Sequence, residues 1–348
     1  MRKFDYSFLN NGFLPASLVN LTSSIAALRT MAGVHREEHL RIFSELEAVA
    51  KIQSVKSSNA IEGIVTSDSR IAEIVNQNSA PLNHSEREIA GYRDALNEIH
   101  LNYDYIDFRE SDILHLHEIM MSMAGYEFAG RYKTSDNYIL EEDAQGNRRI
   151  RFRPTPAAET KQAMEQLELA YMAARNDGNI NQLLLIPCVI LDFLCIHPFR
   201  DGNGRMSRLL SLLLLYKNGF DAGKYVSFEE QISNYKAYYY EALRQSSVGW
   251  EAGENSYFPF VENFLSTLYM CYKELDKRFA VVHGKKVTKK ARVEATVLNN
   301  LTPISKAEIC KILPDVSPTT VEAVLGAMVK TGSVKRIGAG RAARYIKA

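Results

Sequence analysis

Residues 197–208, which read His-Pro-Phe-Arg-Asp-Gly-Asn-Gly-Arg-Met-Ser-Arg, place groups that could bind and react with a phosphate in one short segment. Gly202 and Gly204 allow the backbone to adopt positive φ angles and to approach a ligand closely. Backbone amides in such a turn, followed by the N-terminus of a helix, form a site for phosphate oxygens. Arg205 and Arg208 lie three residues apart on that helix, so we expect both to reach one anion.

Asp201 and His197 add a metal ligand and a base to the same segment. Mg²⁺ is usually held by one or two carboxylates together with phosphate oxygens, which suits Asp201. The imidazole of His197 can take a proton near neutral pH. Each of these residues alone is more often structural. Together they predict a site for a magnesium-bound nucleotide with a general base beside it.

The elements that must position this segment are mainly helical. Residues 183–196 and 209–216 are apolar runs on either side of it, so the turn is expected between two buried helices. Ser85 with Glu88 indicates a capping box, and Ser111 indicates a second helix start. We predict helices near residues 36–62, 84–102, 111–123, 156–175, 182–196, 204–217 and 257–279.

The hydrophobic period changes between residues 131 and 154. Residues 137–140 and 150–153 are short strand-like segments around the polar turn at 143–147, which predicts a β-hairpin inside a helical domain.

The segment 197–208 matches the signature H-x-F-x-[DE]-G-N-G-R-x-x-R, and the sequence therefore resembles the Fic (filamentation induced by cAMP) family. The resemblance extends in order over about residues 1–280. It implies a mainly α fold, with a Fic-type helical bundle and a β-hairpin flap. It also implies a protein adenylyltransferase, which transfers AMP from ATP to a protein hydroxyl and releases pyrophosphate.

The resemblance also implies a role for each residue that matches the motif. His197 would be the base that deprotonates a Tyr, Ser or Thr hydroxyl, and Asp201 would hold the Mg²⁺ that accompanies ATP. Phe199 would anchor the loop in the core. The nucleotide would be bound by the turn, by both arginines and by two tyrosines of a later helix, namely Gly202, Asn203, Gly204, Arg205, Met206, Ser207, Arg208, Tyr235 and Tyr239. Tyr235-Lys236 departs from the Asn-Arg that is common in the family, so the contacts to the base are less well defined than those to the phosphates.

A second segment, Ser58-Asn-Ala-Ile-Glu62-Gly63, resembles the family's inhibitory pattern [ST]-x-x-x-E-[GN]. Ser58 and Glu62 are four residues apart and share a helix face, and Gly63 suits a helix end. The resemblance implies that Glu62 pairs with Arg208 and blocks the productive pose of ATP. In some relatives this glutamate also aligns a water that removes AMP, so an enzyme that both adds and removes AMP is the alternative.

The predicted hairpin at 137–153 stands where the family docks its protein target. An exposed strand edge can pair with an extended target segment through main-chain hydrogen bonds. Arg148, Arg149, Arg151 and Arg153 make this hairpin basic, and protection of the strand edge by charge is the alternative reading of these arginines.

The formal net charge is +1, which excludes a uniformly basic or acidic chain, but it divides into −8 over residues 1–283 and +9 over residues 284–348. Three predicted helices and a closing hairpin in the basic part resemble a winged helix. A DNA-binding transcription regulator is therefore the alternative function. The third helix presents Thr319, Thr320, Glu322 and Ala323, which are not typical base readers, and this favours an accessory or interaction role.

We expect three parts: an N-terminal helical segment with the inhibitory helix (1–83), the catalytic core (84–283) and the winged-helix-like domain (284–348). The four cysteines form no C-x-x-C pair, and residues 183–196 fall short of the ~20 apolar residues that span a bilayer. We therefore expect a cytoplasmic protein without membrane insertion, and the family resemblance is consistent with a homodimer. Transfer of another nucleotide, of phosphocholine or of a phosphoryl group is the competing chemistry on the same fold.

Overall fold

The computed structural model describes residues 2–142, 148–283, 288–298, 300, 303–313, 316–338, 340 and 343–348. Helices predominate, and a β-hairpin interrupts them. The helices described before residue 284 are, in chain order, α1 Phe8–Asn11, α2 Ala16–Glu38, α3 Leu40–Ile61, α4 Asp68–Gln77, α5 His84–Asn102, α6 Glu110–Ser122, α7 Ala157–Asn176, α8 Gln182–Ile196, α9 Asn203–Lys217, α10 Phe228–Asn234, α11 Lys236–Ser247 and α12 Phe258–His283.

Helix α8 is the centre of this bundle, because every residue from Leu183 to Ile196 is buried. A short loop connects α8 to α9, and the two helices pack against each other. The residues of α9 from Arg205 to Tyr216 are also buried. Helices α5, α7, α11 and α12 surround this pair, and α3 packs on α5, α9 and α10. A helix that is apolar on all sides can be stable only inside such a shell. The prediction of two buried helices flanking the turn is confirmed.

The hairpin pairs β1, Ile139–Glu142, with β2, Arg148–Phe152, in antiparallel register. It lies within the predicted range 137–153, and the turn predicted at 143–147 lies outside the described residues. Among the described residues, none of the helices has the length and apolar character needed to cross a membrane.

The C-terminal part has its own apolar core, formed by residues from Val293 to Val334. Its elements are α13 Lys289–Leu298, β3 Ile304–Ser305, α14 Lys306–Ile312, α15 Pro318–Lys330, β4 Val334–Ile337 and β5 Arg344–Lys347, with the strands in the order β3-β5-β4. Ser317 caps α15 and Pro318 opens it, as the sequence predicts. Residues 284–287, which begin the predicted C-terminal domain, lie outside the described residues.

Two of the predicted capping signals are wrong, although α5 and α6 begin within one residue of the predicted positions. The side chain that caps α5 is Asn83, which accepts a hydrogen bond from the amide of Glu86, so Ser85 lies inside the helix. Helix α6 starts after Arg109, without a side-chain cap, and Ser111 lies in its first turn. At the start of α5, Asn83 takes the capping role that the sequence pattern assigns to Ser85.

We predict that Gly91→Ala lowers the stability of the bundle, because α5 and α6 approach each other at this glycine. A Cβ on Gly91 would overlap the carbonyl oxygen of Met120 on α6. Forcing extra volume into a packed interface costs about 1–3 kcal/mol, measured as a lower urea midpoint of unfolding.

The matched control is Gly33→Ala in α2, where a Cβ meets no atom within 4 Å. This change should stabilise the helix by about 0.5–1 kcal/mol. A Gly91→Ala variant that unfolds at the wild-type urea concentration would contradict the close approach of α5 and α6.

Candidate active site

The predicted motif forms a tight loop between α8 and α9. Helix α8 ends at His197, whose backbone is left-handed with φ 52° and ψ 59°. Helix α9 begins at Asn203, directly after Gly202 with φ 82°. The positive φ predicted for Gly202 is thus present, and it lets the chain reverse within a few residues between two buried helices.

The side chain of Asn203 holds the loop from inside. Its Oδ1 accepts a hydrogen bond from the amide of Phe199 at 2.9 Å, and its Nδ2 donates to the carbonyl of Phe199 at 2.8 Å. Both polar atoms of the buried Asn203 side chain therefore bind the backbone of Phe199. The group of Asn203 that remains for an anion at the helix start is its backbone N–H.

His117 on α6 supports the same loop and was not predicted from the sequence. Its ring stacks on Phe199 with the centroids 3.7 Å apart and the planes at 5°. Nδ1 accepts from the amide of Gly130, so Nε2 carries the hydrogen and donates to the carbonyl of Asp201 at 3.1 Å. Burial lowers the pKa of His117 to about 4, so the ring is neutral and keeps this tautomer.

Lys133 and Asn137, which precede the hairpin, brace the other side of the loop. The amide of Lys133 donates to the carbonyl of Pro198 at 2.9 Å, and its Nζ donates to the carbonyl of Ile196 and to Oδ1 of Asn137. Asn137 Nδ2 in turn donates to the carbonyl of Phe199. Burial lowers the pKa of the Lys133 ammonium to about 8. No sequence motif marks these two residues, because their partners are about 60 residues away in the chain.

His197 is oriented as a neutral base. Its Nδ1 lies 3.2 Å from the carbonyl oxygen of Leu194, which can only accept, so Nδ1 carries the hydrogen and Nε2 is left with a free lone pair. Burial lowers the pKa of His197 to about 4, and the nearby carboxylates of Glu62 and Asp201 only partly oppose this. The ring is therefore uncharged and able to accept a proton at pH 7.

The N-terminus of α9 provides an anion site. Its first-turn amides have no acceptor within the helix, and Gly202 has no side chain with which to cap them. Gly204 leaves space there, since a Cβ at this position would overlap the carboxylate of Glu62. A carboxylate therefore already lies at the helix start, where the dipole and free amides favour negative charge.

Arg208 binds the segment that was predicted to be inhibitory. Its Nε donates to Oγ of Ser58 at 2.8 Å, and its Nη2 donates to the carbonyl of Ser58 and to Oε1 of Glu62 at 2.8 Å. Burial opposes the charge of this guanidinium, yet Glu62 holds its pKa above the ordinary value. Gly63, with φ 80°, ends the helix as expected. The structure thus brings together Ser58, Glu62 and Arg208.

Arg205 does not share this site. It is 1% exposed and its Nη1 lies 2.8 Å from Oε2 of Glu88 on α5, with Nη2 against Met121. Residues three apart on a helix lie only about 60° apart around its axis, so the two arginines are separated by their partners: the buried Glu88 on α5 holds Arg205, whereas Arg208 contacts Ser58 and Glu62. The expectation that both arginines reach one anion does not describe this arrangement.

Two further residues of the motif, Met206 and Ser207, do not border the central cavity. Met206 packs in the apolar core, and the hydroxyl of Ser207 donates to the carbonyl of Gly204. Tyr239 borders the cavity, whereas Tyr235 is 50% exposed and borders a separate surface groove. Their predicted part in binding the nucleotide remains a prediction.

The central cavity that joins these groups has a volume of about 320 Å³. It is bordered by the loop, by Glu62 and Arg208, by α11 and by the hairpin. Its wall includes Glu62, Tyr138, Ile139, Arg151, Phe152, His197, Asp201, Gly202, Asn203, Gly204, Arg208, Tyr239 and Tyr240.

Asp201 is the carboxylate of the loop that could hold a cation. Its Oδ1 accepts from the amide of Gly202 at 2.6 Å. Across the described ranges, no three His, Cys, Asp or Glu side chains form a group that could hold a metal alone. A single carboxylate beside a phosphate-binding turn fits a Mg²⁺ that is delivered with its nucleotide, because Mg²⁺ prefers to keep waters and phosphate oxygens as ligands.

Helix α3, which carries Ser58 and Glu62, is held by a further polar contact four residues earlier. Oγ of Ser54 donates to Oε2 of the fully buried Glu229 at 2.7 Å, and Tyr92 donates to its Oε1. Lys236 Nζ also binds the carbonyl of Ile61 at 2.8 Å, at the end of α3. The sequence contains the spacing Ser54-Ser58-Glu62, one residue per helical turn, but not the partner of Ser54.

Comparison with known proteins places this site in a family. The Fic/DOC family profile matches residues 105–215. A Fido domain-containing protein of Dictyostelium discoideum is 30% identical over 144 residues, which cover 38% of this chain and 94% of that protein. The chain belongs to the Fic/DOC family.

The chain is also homologous to a protein adenylyltransferase Fic of Nematostella vectensis, with 26% identity over 207 residues. The match covers 58% of this chain and 44% of the length of that relative. Among solved structures, a Fic family protein from Desulfovibrio desulfuricans G20 shares the fold over 97% of both chains, with a TM-score of 0.63 and 21% identity. A Fic protein of Caenorhabditis elegans aligns with 76% of this chain at a TM-score of 0.57.

We predict that His117→Phe destabilises the protein while it preserves the stacking on Phe199. The change removes two part-buried hydrogen bonds, to the amide of Gly130 and to the carbonyl of Asp201, which costs about 1 kcal/mol each. Chemical denaturation measures the loss.

The control is His115→Phe, which alters an exposed position on the same helix and should shift stability by no more than about 0.5 kcal/mol. Equal unfolding midpoints for the two variants would show that the hydrogen bonds of His117 do not hold the loop.

Proposed function

We propose that the protein transfers AMP from Mg²⁺-ATP to the hydroxyl of a Tyr, Ser or Thr side chain of a protein, its own chain included. The observation that carries this proposal is the pairing of a neutral His197 with the uncapped N-terminus of α9 in one cavity. A base and an anion site side by side are what transfer of a phosphate ester to a hydroxyl requires.

In the proposed step, Nε2 of His197 takes the proton of the target hydroxyl while its oxygen forms a bond to the α-phosphorus. The bond between that phosphorus and the oxygen bridging to the β-phosphate breaks, and pyrophosphate leaves. The hydrogen bond from Nδ1 to the carbonyl of Leu194 fixes the ring in the tautomer that accepts at Nε2. The proton then passes from Nε2 to solvent, which restores the neutral base.

The charge of the phosphates is met by groups of this chain at the start of α9. The free first-turn amides would bind phosphate oxygens, and Arg208 would neutralise the departing pyrophosphate. Asp201 would hold the Mg²⁺, which supplies further neutralisation of that charge. Asn203 contributes by fixing the loop through Phe199, and Arg205 contributes by fixing α9 against α5 through Glu88.

Autoinhibition follows from the contact between Glu62 and Arg208. The Glu62 carboxylate lies at 2.8 Å from Nη2 of Arg208 and against Gly204, so it occupies the place of an anionic group at the start of α9. A phosphate and this carboxylate cannot both take that place, because two negative charges in close contact repel each other. In the proposed resting state ATP is therefore held out of its productive pose.

The hairpin borders the central cavity through Tyr138, Ile139 and Phe152, which supports its proposed use for docking the target. Its outer strand edges are unpaired within the described residues, so a target segment could add a strand. We further propose the division at residues 83/84 and 283/284, with the C-terminal part as an accessory module. On α15 the exposed residues Thr319, Glu322 and Ala323 are not typical base readers, which supports an interaction role over sequence-specific DNA binding.

We predict that Glu62→Gly increases AMP transfer about 5- to 150-fold, the range expected for a coupling of about 1–3 kcal/mol. The measurement is incorporation of label from α-labelled ATP into protein in the presence of Mg²⁺, with intact-mass analysis to identify an AMP-sized addition.

The control is the double variant Glu62→Gly with His197→Ala, which retains the open anion site but lacks the base and should return incorporation to background. An addition of another mass would favour the competing chemistry on this fold. A rate in Glu62→Gly at or below that of the wild type would refute the inhibitory role.

We predict that Ser54→Ala releases the inhibition in part, by up to about 10-fold, because one hydrogen bond between α3 and the buried carboxylate of Glu229 is lost. Ser57→Ala is the matched control, since Ser57 is on the same helix and its hydroxyl donates no hydrogen bond within the part of the chain that the structure describes. If both variants keep the wild-type rate while Glu62→Gly is activated, the contact of Ser54 does not contribute to inhibition.

A further inference from the structure

Arg151 has an unusual place in the hairpin. Leu140 of β1 pairs with Ile150 of β2, and the next residue back, Ile139, pairs with Phe152, so Arg151 has no partner across the ladder. It is the extra residue of a β-bulge. Bulges redirect a side chain and are frequent beside active sites, because the bulged strand bends and one residue leaves the alternation of the sheet.

None of the described carboxylates pairs directly with its guanidinium. Arg149 pairs with Glu141 at 3.0 Å and Arg244 pairs with Glu241, whereas no described carboxylate forms an ion pair or hydrogen bond with Arg151. The side chain is half-buried, and burial lowers the pKa of its guanidinium below the ordinary value. Burial of an arginine without an anionic partner costs free energy. A ligand that supplies the anion would recover this free energy on binding.

Arg151 also lies between two cavities. It borders the central cavity that contains His197, and it borders a second one of about 420 Å³ along β2, which we call the hairpin cavity. The hairpin cavity is lined by three arginines, Arg149, Arg151 and Arg244, and by one described carboxylate, Glu141. A ligand reaching from one cavity to the other would meet positive charge immediately after leaving the reaction centre.

We propose that Arg151 and the hairpin cavity bind an Asp or Glu side chain of the protein target, next to the hydroxyl that is modified. This inference rests on the proposed function. The planar guanidinium matches a carboxylate in a bidentate geometry, and the half-buried setting makes such a pair stronger than one at the surface. Main-chain pairing along the hairpin places a target segment, and Arg151 selects the segments that carry a negative charge beside the acceptor.

Nucleotide phosphates have a separate place, because the N-terminus of α9 and Arg208 belong to a different element of the central cavity's wall from the hairpin. The hairpin cavity is lined by residues of β1, β2 and the end of α11, and by none of the motif residues 197–208. An anion bound in the hairpin cavity would therefore belong to the target segment that docks on the hairpin.

The test measures binding of two fluorescent peptide pools without turnover. Both pools have Tyr, Ser or Thr at the centre of otherwise identical twelve-residue peptides, flanked by Glu in one pool and by Gln in the other. The protein is the full chain with Glu62→Gly and His197→Ala, in the presence of Mg²⁺-ATP. We expect the Glu pool to bind about 10-fold more tightly, the effect of one charge-assisted hydrogen-bonded pair.

Adding Arg151→Gln should abolish this preference and leave the affinity for ATP unchanged. Arg153→Gln removes the same charge from an exposed residue of the same hairpin that borders neither cavity, and it should keep the preference. Adding Arg151→Glu should reverse the preference toward a pool flanked by Lys.

Equal binding of the Glu and Gln pools, including no measurable binding of either, overturns the proposal. It is also overturned if Arg151→Gln and Arg153→Gln have the same effect, or if Arg151→Gln weakens ATP binding and the peptide preference persists. The proposed function is judged separately, by His197-dependent AMP transfer in the Glu62→Gly protein. Transfer at equal rates to both pools would leave that function standing and remove the role of Arg151.

Discussion

The arrangement of the candidate site depends on the buried charge of Arg208. Arg208 is 2% exposed, and a guanidinium in such a position requires an anion and hydrogen-bond acceptors close by. In this structure the partners come from α3, through Ser58 and Glu62. Under the proposed function a nucleotide phosphate would bind the same guanidinium, so the proposed catalytic and inhibitory arrangements would compete for one residue. Because an unpaired Arg208 is costly, the protein is expected to exchange one partner for the other and not to leave the site open.

The short loop between α8 and α9 is the second constraint. Pro198 and Phe199 of the loop are buried between the two helices, so their backbone polar groups must be satisfied within the protein. Asn203 does this from inside, His117 from α6, and Lys133 with Asn137 from the segment before the hairpin. The proposed base, the proposed metal ligand and the anion site are all parts of this loop, so their relative positions are fixed by four residues from three elements. The same segment that braces the loop continues into the hairpin, which links the reaction centre to the surface proposed to receive the target.

Much of the fold could be predicted because its signals are local. The helices at 84–102, 182–196 and 204–217 were placed within one residue, since apolar periodicity and the glycines of the turn act over a few residues. The predictions failed where several polar residues compete for one role, as with Asn83 and Ser85 at the start of α5. Helices α2, α4, α10 and α11 were not singled out, because much of their apolar surface is recognisable only against its partner helix.

The sequence by itself determined the composition of the site: His197, Asp201, the glycine turn and Arg208 in one segment, with Ser58 and Glu62 one helical turn apart elsewhere. These assignments depend on local geometry that residue spacing already encodes. Only the tertiary structure decided that Arg205 pairs with Glu88 and leaves Arg208 to meet Glu62. It also decided that His117 and Lys133 hold the loop and that Arg151 occupies a bulge without a described partner. These features depend on charges and backbone groups that are distant in the chain and meet only when the helices pack, so no local pattern can reveal them.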